Sequence, residues 1–579
     1  MIFDRWTLAE TPADLPIPIA NAALRRIAIR RGVIDDDSFR RFMAPVIGDL
    51  HDPSTIHGIG EACERIARAI RDRETILIYG DYDVDGVTSI VMLQTVLRSI
   101  GADVDFVVPH RLVDGYGLKI EVLERVLADR NVRLVITVDC GITSVEPVRL
   151  AIDRGIDVII TDHHLPPGTL PEAAAVLNPR QPGCAYPFKD LAGVGVAFKL
   201  CCELIKRNDK KISIDSLLKI AAIGTIADVA PLIGENRTIA RLGLTGLADP
   251  RNPGLRALIR RIGLLGKPLR SVDIGFKIGP RINAAGRLAS ANTAIELFHT
   301  KDEDAAWVVC AELDRMNAER QEVEREVRGE AEKQVAGLRG CEVAEIPPRN
   351  PETSQLRNRV LVLGGIGWHK GVLGLTAGRI AQKYHRPTLV MNIDGDRCVG
   401  SARSIPAINL HAQLEAVSEL FTHFGGHEYA CGFSLETRNL DALRTRLEAN
   451  FATLDDELFI REASVDAVLT LGEIDRTFID AHELLQPFGA SNPQPLFLVR
   501  GVEVVGTRMF AEECCELMLD DGTGRVAGVV WPSVKQLAEE IARHVRADVL
   551  FQVEPDTYSP AGARMTIADA RSAAAPSAP

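Results

Sequence analysis

Residues 76 to 89 read Ile-Leu-Ile-Tyr-Gly-Asp-Tyr-Asp-Val-Asp-Gly-Val-Thr-Ser. The apolar run 76–79 has the length and composition of a buried strand. It stops at Gly80, and Asp81, Asp83 and Asp85 then alternate along a short loop that ends at Gly86. Residues 90–97 return to the helical spacing of apolar side chains. A strand, an acidic loop and a helix in this order place ligand groups at the carboxyl edge of a parallel sheet. Three crowded carboxylates repel one another, and each is costly to bury unpaired. A divalent cation with hard oxygen ligands removes that cost. A solvated acidic turn or a helix N-cap is the alternative for this segment alone.

Two later segments shift the balance toward a metal. The apolar run 134–138 ends at Asp139, and the run 158–160 leads into Thr161, Asp162, His163 and His164. A parallel sheet brings such strand ends to one edge. Asp228 closes the small, apolar run 223–227 and reads as a fourth such end. Helix-like segments precede the strands at 134–138 and 157–160, and this β-α alternation argues for a doubly wound α/β domain.

A chain of 579 residues exceeds one core and predicts about three or four domains. Hydrophobic residues make up 46% and the mean hydropathy is +0.04, as in a soluble globular protein. No apolar run approaches the roughly 18 residues a membrane helix needs. The opening Met-Ile-Phe-Asp-Arg-Trp is charged and lacks a signal-peptide core. The 11 cysteines form no Cys-x-x-Cys pattern, and Cys201-Cys202 and Cys514-Cys515 are adjacent, poor disulfide partners. A reduced, cytoplasmic location follows. The net charge of −12 argues weakly against nucleic acid. Yet Arg251, Arg256, Arg260, Arg261, Lys267, Arg270, Lys277, Arg281 and Arg287 crowd one stretch against the single acid Asp273. That stretch is either a track for a phosphate backbone or a solvated basic helix face.

Residues 1–50 read as a peripheral helical lead-in, amphipathic at 21–31 and 36–42. The loop 109–118 can bring Arg111 to a phosphate and Tyr116 to a base, or can be a plain glycine turn. Gly279-Pro-Arg-Ile-Asn-Ala-Ala-Gly-Arg287 reads as a glycine-rich loop whose Arg281 and Arg287 suit an anion. Residues 302–334 form one long helix connecting two lobes, and 341–357 a loop. A second α/β domain starts at 360–364. In it Ser401 and Arg403 offer phosphate contacts, and the pair Gly425-Gly426 carries His427 on a flexible turn. A proline-punctuated link at 487–495 sits among alternating strands at 465–471, 496–506, 515–520, 526–531 and 549–555. Five such strands fit a small β-barrel of OB type.

The motifs Asp-Tyr-Asp-Val-Asp-Gly, Val-Asp-Cys-Gly-Ile, Asp-His-His and Ala-Asp-Val-Ala resemble, in order and spacing, the four motifs of DHH phosphoesterases. The chain from about residue 50 to 560 most resembles the RecJ family within that superfamily. Arg111 with Gly-Tyr-Gly-Leu and Pro-Phe-Gly-x-x-Asn-Pro at 487–493 belong to the same likeness. The resemblance implies two α/β lobes, DHH and DHHA1, joined by a long helix, with a C-terminal OB-like β-barrel. The expected layout is a lead-in at 1–50, DHH at 51–300, connecting helix at 301–340, DHHA1 at 355–454, OB-like domain at 455–570 and a disordered tail at 571–579.

The resemblance further implies two ions, Mn2+ or Mg2+, held by Asp83, Asp85, Asp139, His163 and Asp228, with Asp139 or Asp85 bridging. Asp162 then orients a histidine, His164 stabilises or protonates at the scissile phosphate, and Asp81 stands behind the ligands. Many DHH phosphoesterases carry a histidine in place of Tyr79, so one metal is expected to be held more loosely. Arg111, Tyr116, Arg281, Asn283, Arg287, Ser401, Arg403, Gly425, Gly426 and His427 become substrate contacts, with Arg281, Ser401 and Arg403 at a terminal 5′ phosphate. The implied activity is 5′→3′ exonuclease action on single-stranded DNA, releasing mononucleotides in repair and recombination. The implied partners are a RecQ-type helicase and single-strand-binding protein, with no membrane. The rivals are a DHH phosphodiesterase for cyclic dinucleotides or very short RNA, and an inactive DNA-binding scaffold. Cutting the chain after about residue 454 is expected to leave hydrolysis of very short oligonucleotides possible while weakening binding of long single strands.

Overall fold

A computed structural model describes residues 2–111, 113–115, 117–128, 132–208, 212–288, 290–338, 358–510, 514–531, 538, 541, 546–556, 559 and 562–573. The chain forms two compact units. One comprises Asp36–Arg320 and Leu485–Pro493, the other Met1–Asp35, Gln321–Leu484 and Gln494–Pro579. Among the described residues no helix is long and apolar enough to cross a membrane.

The first strand, β1 (Arg5–Leu8), belongs to the second unit. The first unit is built on β2 (Thr75–Gly80), β3 (Asp103–Val107), β4 (Val132–Val138), β5 (Asp157–Thr161) and β6 (Ala175–Leu177). They form a parallel sheet in the order β3-β2-β4-β5-β6. Both faces are covered, which is why the strands read as continuous apolar runs. Ile76 and Ile78 enter one core cluster, and Leu77 and Tyr79 enter another with Leu118, Val122 and Val135. The register sets Gly80 beside Val138 and Val138 beside Thr161, so β2, β4 and β5 end side by side. The helix Val84–Ser99 leaves this edge, and the helices Gly193–Arg207 and Ile214–Ala227 pack against it.

The same unit takes up the late segment Leu485–Pro493. Arg237 donates to the carbonyls of Leu485 (3.1 Å) and Gln486 (2.7 Å), and Leu232 N–H donates to Ala490 O (2.8 Å). Arg237 is buried, and a buried guanidinium stripped of acceptors is strongly unfavourable. A chain ending at residue 454 therefore lacks a segment of this unit, which the sequence reading had assigned wholly to the C-terminal region.

In the second unit β7 (Leu361–Ile366), β8 (Thr388–Asp394), β9 (Arg397–Arg403), β10 (Phe421–His427) and β11 (Ala430–Glu436) form a sheet ordered β10-β11-β9-β8-β7. Only β7 and β8 run parallel. The long helix spans Glu303–Leu338. Its Gln334 amide donates to Gly364 O (2.8 Å) and accepts from Gly364 N (3.3 Å), capping the exposed edge of β7. A closed barrel follows from β14 (Phe497–Phe510), β15 (Cys514–Asp520), β16 (Arg525–Val530), β17 (Ala547–Pro555) and β18 (Ala563–Ser572), with β14 returning to β17. The fold is thus two α/β lobes, a long helix and a small barrel, as expected. Sequence reading missed β18, and β18 runs through Arg571 and Ser572, which were assigned to the tail; residues 574–579 lie outside the described residues.

The N-terminus also departs from expectation. Helices Ala22–Arg30 and Asp36–Met43 are present, but β1 pairs in parallel with β12 (Glu462–Val465). Buried Asp569 of β18 accepts from Ile2 N (2.7 Å), Phe3 N (3.1 Å) and Trp6 Nε1 (3.0 Å). Arg571 lies over the Trp6 ring at 4.2 Å. A four-residue strand has too little periodicity to announce itself, and its partner is hundreds of residues away.

Candidate active site

The acidic loop folds back tightly because Gly86 permits it. A Cβ there would lie 2.3 Å from Asp81 O. Asp83 caps the helix that follows, accepting from Asp85 N (2.9 Å) and Gly86 N (3.1 Å). Asp85 is buried at the start of the helix Gly193–Arg207 and accepts from Gly193 N and Val194 N, both at 2.7 Å. A helix N-terminus is a favourable place for a carboxylate. Asp139 follows β4 with φ of 59°, a left-handed conformation that aspartate tolerates. Asp228 follows not a strand but the helix Ile214–Ala227. The small residues before it pack between helices, a pattern that periodicity alone cannot tell from a short strand.

These elements converge on one cluster. Donor atoms of Asp81, Asp83 and Asp139 lie within 4.8 Å of one another, as do those of Asp85, His163 and Asp228, and those of Asp139, His163 and His164. His163 Nε2 is 3.1 Å from Asp139 Oδ1 and 3.9 Å from Asp228 Oδ2. Burial, then the charge of Asp83, pushes Asp85 up to about 7. Burial and the neighbouring carboxylates raise Asp81, Asp139 and Asp228 well above the ordinary carboxylate range. Asp81 Oδ1 is buried with no hydrogen-bond partner among the described residues. A concentration of buried carboxylates at this cost fits a divalent cation, and the mixed oxygen and imidazole donors suit Mn2+ or Mg2+. Asp81 belongs inside this cluster, closer to the ligand groups than expected.

Asp162 is built differently. It accepts from Ile142 N (2.9 Å), His163 N (2.7 Å), His164 N (3.0 Å) and His164 Nδ1 (2.7 Å). Burial opposes its charge, but the His164 hydrogen bond and charge outweigh it and hold Asp162 below the usual carboxylate range. Burial likewise opposes charge on His164, yet the bond and charge of Asp162 raise it. The pair holds its proton on His164, with Nδ1–H committed to the carboxylate.

Around the cluster, Asn283 accepts from Val84 N (3.1 Å), so it holds the metal loop. It lies in a helix, Gly279–Leu288, where a loop was expected. Arg111 lies over the Tyr82 ring at 4.8 Å, and the charge of Arg287 also reaches Tyr82. Arg281 is turned elsewhere, with Nε on Asp314 (2.6 Å) and Nη1 on Lys277 O (2.7 Å). Tyr79 sends its hydroxyl to Gly117 O (3.1 Å), not to the carboxylates. Tyr116 lies outside the described residues. The basic stretch meets carboxylates from beyond it, Asp249 and Glu303 at Arg256, Glu303 at Arg260, and Asp314 at Arg261.

In the second unit Arg403 Nη1 donates to Ser401 Oγ (2.9 Å). A Cβ on Gly374, in the first turn of the helix Leu373–Tyr384, would approach Arg403 Nη2 to 2.8 Å and Ser401 Oγ to 3.1 Å. Gly425, Gly426 and His427 lie in β10 and not on a flexible turn, with Gly425 opposite Gly432 and His427 opposite Ala430. Gly432 and Ala430 in turn face Ser401 and Arg403. Hence only small residues separate Arg403 from His427 on that face. Sequence reading missed the Gly193 and Val194 amides and Tyr82, and it weighed Tyr79 only as standing where the family often carries a histidine; the spacing of Tyr82 from the aspartates was its one signal.

Fold and cluster together define a metal-dependent phosphoesterase of the DHH class. The DHH family, N-terminal domain, matches residues 75–225, the DHHA1 domain residues 357–453 and the RecJ OB domain residues 465–562. The single-stranded-DNA-specific exonuclease RecJ of Salmonella typhimurium is 36% identical over 535 residues, 88% of each chain. That of Bacillus subtilis is 39% identical over 83% of this chain, which spans 59% of the length of that relative. RecJ of Thermus thermophilus in complex with Mn2+ superposes with a TM-score of 0.80 at 29% identity, covering 99% of this chain and 80% of the other; its Mg2+ complex gives 0.76 at 28%, over 99% and 79%. The chain belongs to the RecJ family of single-stranded-DNA-specific exonucleases.

Proposed function

We propose that this protein removes mononucleotides from the 5′ end of single-stranded DNA by metal-dependent hydrolysis. The observation that carries the chemistry is the set of Asp81, Asp83, Asp85, Asp139, His163 and Asp228 gathered at one sheet edge. Divalent ions held by these side chains supply charge neutralisation and water activation at the phosphodiester. Asp83 and Asp85 are fixed by the amides they cap or accept, so the donor geometry is preset. Asp162 holds the Nδ1–H of His164 and favours the doubly protonated ring, whose Nε2–H gives its proton to the leaving 3′ oxygen. Arg111 and Arg287 steady the phosphates near Tyr82. Ser401 and Arg403, beside a helix start, receive the terminal 5′ phosphate, with His427 across a shelf of small residues. The barrel extends the footprint on the strand.

A RecQ-type helicase, a single-strand-binding protein and a cytoplasmic setting complete the reading. The test is digestion of 5′-labelled single strands, duplexes and cyclic dinucleotides with Mn2+. Labelled mononucleotide as the first product from single strands supports the proposal. Preferential cleavage of cyclic dinucleotides overturns it.

A further inference from the structure

Two tyrosines flank Asp81, and both reach the loop that follows β3. Tyr79 is fully buried among Leu77, Leu118, Val122 and Leu123. Its hydroxyl donates to Gly117 O (3.1 Å) and accepts from Lys119 N (3.4 Å). Tyr82 presents its ring to the Arg111 guanidinium at 4.8 Å. Between these two points Asp114 accepts from His110 N (2.7 Å) and pairs with Arg125 of the helix Ile120–Ala128 (3.2 Å). Its described residues are tied to β2 and the acidic motif at two points, Gly117 and Lys119 by the Tyr79 phenol and Arg111 by the Tyr82 ring. The tyrosine at 79 stands one pleat from the metal loop, yet its polar atom points into the substrate loop.

We infer that Tyr79 is a positioning residue, whose hydroxyl locks the Arg111 loop to the strand carrying the acidic motif and so fixes Arg111 relative to the cluster. Metal ligands and substrate loop are then referenced to one strand, β2. The inference rests on the substrate role of Arg111 given above.

The test is Tyr79→Phe in the full-length protein with Mn2+, which keeps the ring in the core and removes only the hydroxyl. Loss of these hydrogen bonds should raise KM for a 5′-phosphorylated single strand about three- to tenfold, with kcat within about twofold. Mn2+ affinity by calorimetry should be unchanged, and amide exchange at Gly117–Lys119 should quicken. Arg111→Ala should raise KM by itself, and adding Tyr79→Phe to it should cost nothing more. An unchanged KM in Tyr79→Phe, a matching loss of Mn2+ affinity, or full additivity in the double variant overturns the inference. If Arg111→Ala leaves KM unchanged, the substrate role of Arg111 is what fails, and faster exchange in Tyr79→Phe still separates that failure from a failure of the anchor.

Discussion

Asp569 and Asp81 are both buried aspartates, and their surroundings treat them oppositely. Asp569, in the barrel, accepts two backbone amides and the Trp6 indole from the N-terminal segment. Asp81 has a side-chain oxygen with no hydrogen-bond partner among the described residues, and Asp83 crowds it. A carboxylate whose donors come from the fold stabilises the fold. A carboxylate buried among its own kind destabilises it and is retained for what it binds. The difference separates a structural clamp from a catalytic centre without reference to conservation.

The largest effect that could break this contrast is on catalysis. Asp83→Ala or Asp139→Ala should lower hydrolysis about a thousandfold or more at matched Mn2+ while the fold persists. Activity within about tenfold of the parent would remove these residues from the metal centre. His163→Ala should follow them, whereas His164→Ala should lose turnover and keep its metal, as metal analysis of the purified protein will decide. Asp569→Ala should do the reverse. Leaving three part-buried donors without their acceptor should cost about 1–3 kcal/mol in denaturant unfolding followed by tryptophan fluorescence. An unchanged midpoint would mean that the clamp is ornamental.

Asp162→Asn probes a carboxylate between the two extremes, since it is buried, fully hydrogen-bonded and beside the reaction. It should reduce kcat about ten- to hundredfold. Because Asp162 raises His164, the variant should also lose activity at lower pH on the alkaline side. The sign follows from the proton held on His164. Its stabilising contribution is complete below the ordinary histidine value of 6.5 and fades as pH rises through the raised folded value. A pH profile that keeps its alkaline limb in place would detach Asp162 from proton transfer.

The smallest effect concerns metal-free stability. Asp85 is raised to about 7 from 3.8, and Asp81, Asp139 and Asp228 are raised with it. The folded chain then holds protons that the unfolded chain has released, so stability in EDTA should fall as pH rises from about 4 through about 7. Asp139→Asn, which keeps the left-handed backbone, should flatten that slope, by about 2–4 °C in Tm for each kcal/mol of repulsion relieved. Equal slopes in parent and variant would mean that solvent already screens these charges.

The strand ends were legible because each is a local event. A short apolar run buried on both faces stops at an acid, and parallel pairing lines the stops up; Asp81, Asp139 and Asp162 follow from that. The recurrence of four motifs along the chain carried the family and with it the lobes, helix and barrel. Other features depended on partners far away in sequence. Acids Asp249, Glu303 and Asp314 meet the basic stretch, Asn283 turns to Val84 N, and the N-terminal residues close on Asp569. Residues Leu485–Pro493 return to Arg237 in the same way. Periodicity reports which face of an element is buried. It carries no record of which distant group arrives there, because that choice is made by packing and by the need to satisfy buried donors and charges once the chain has closed on itself.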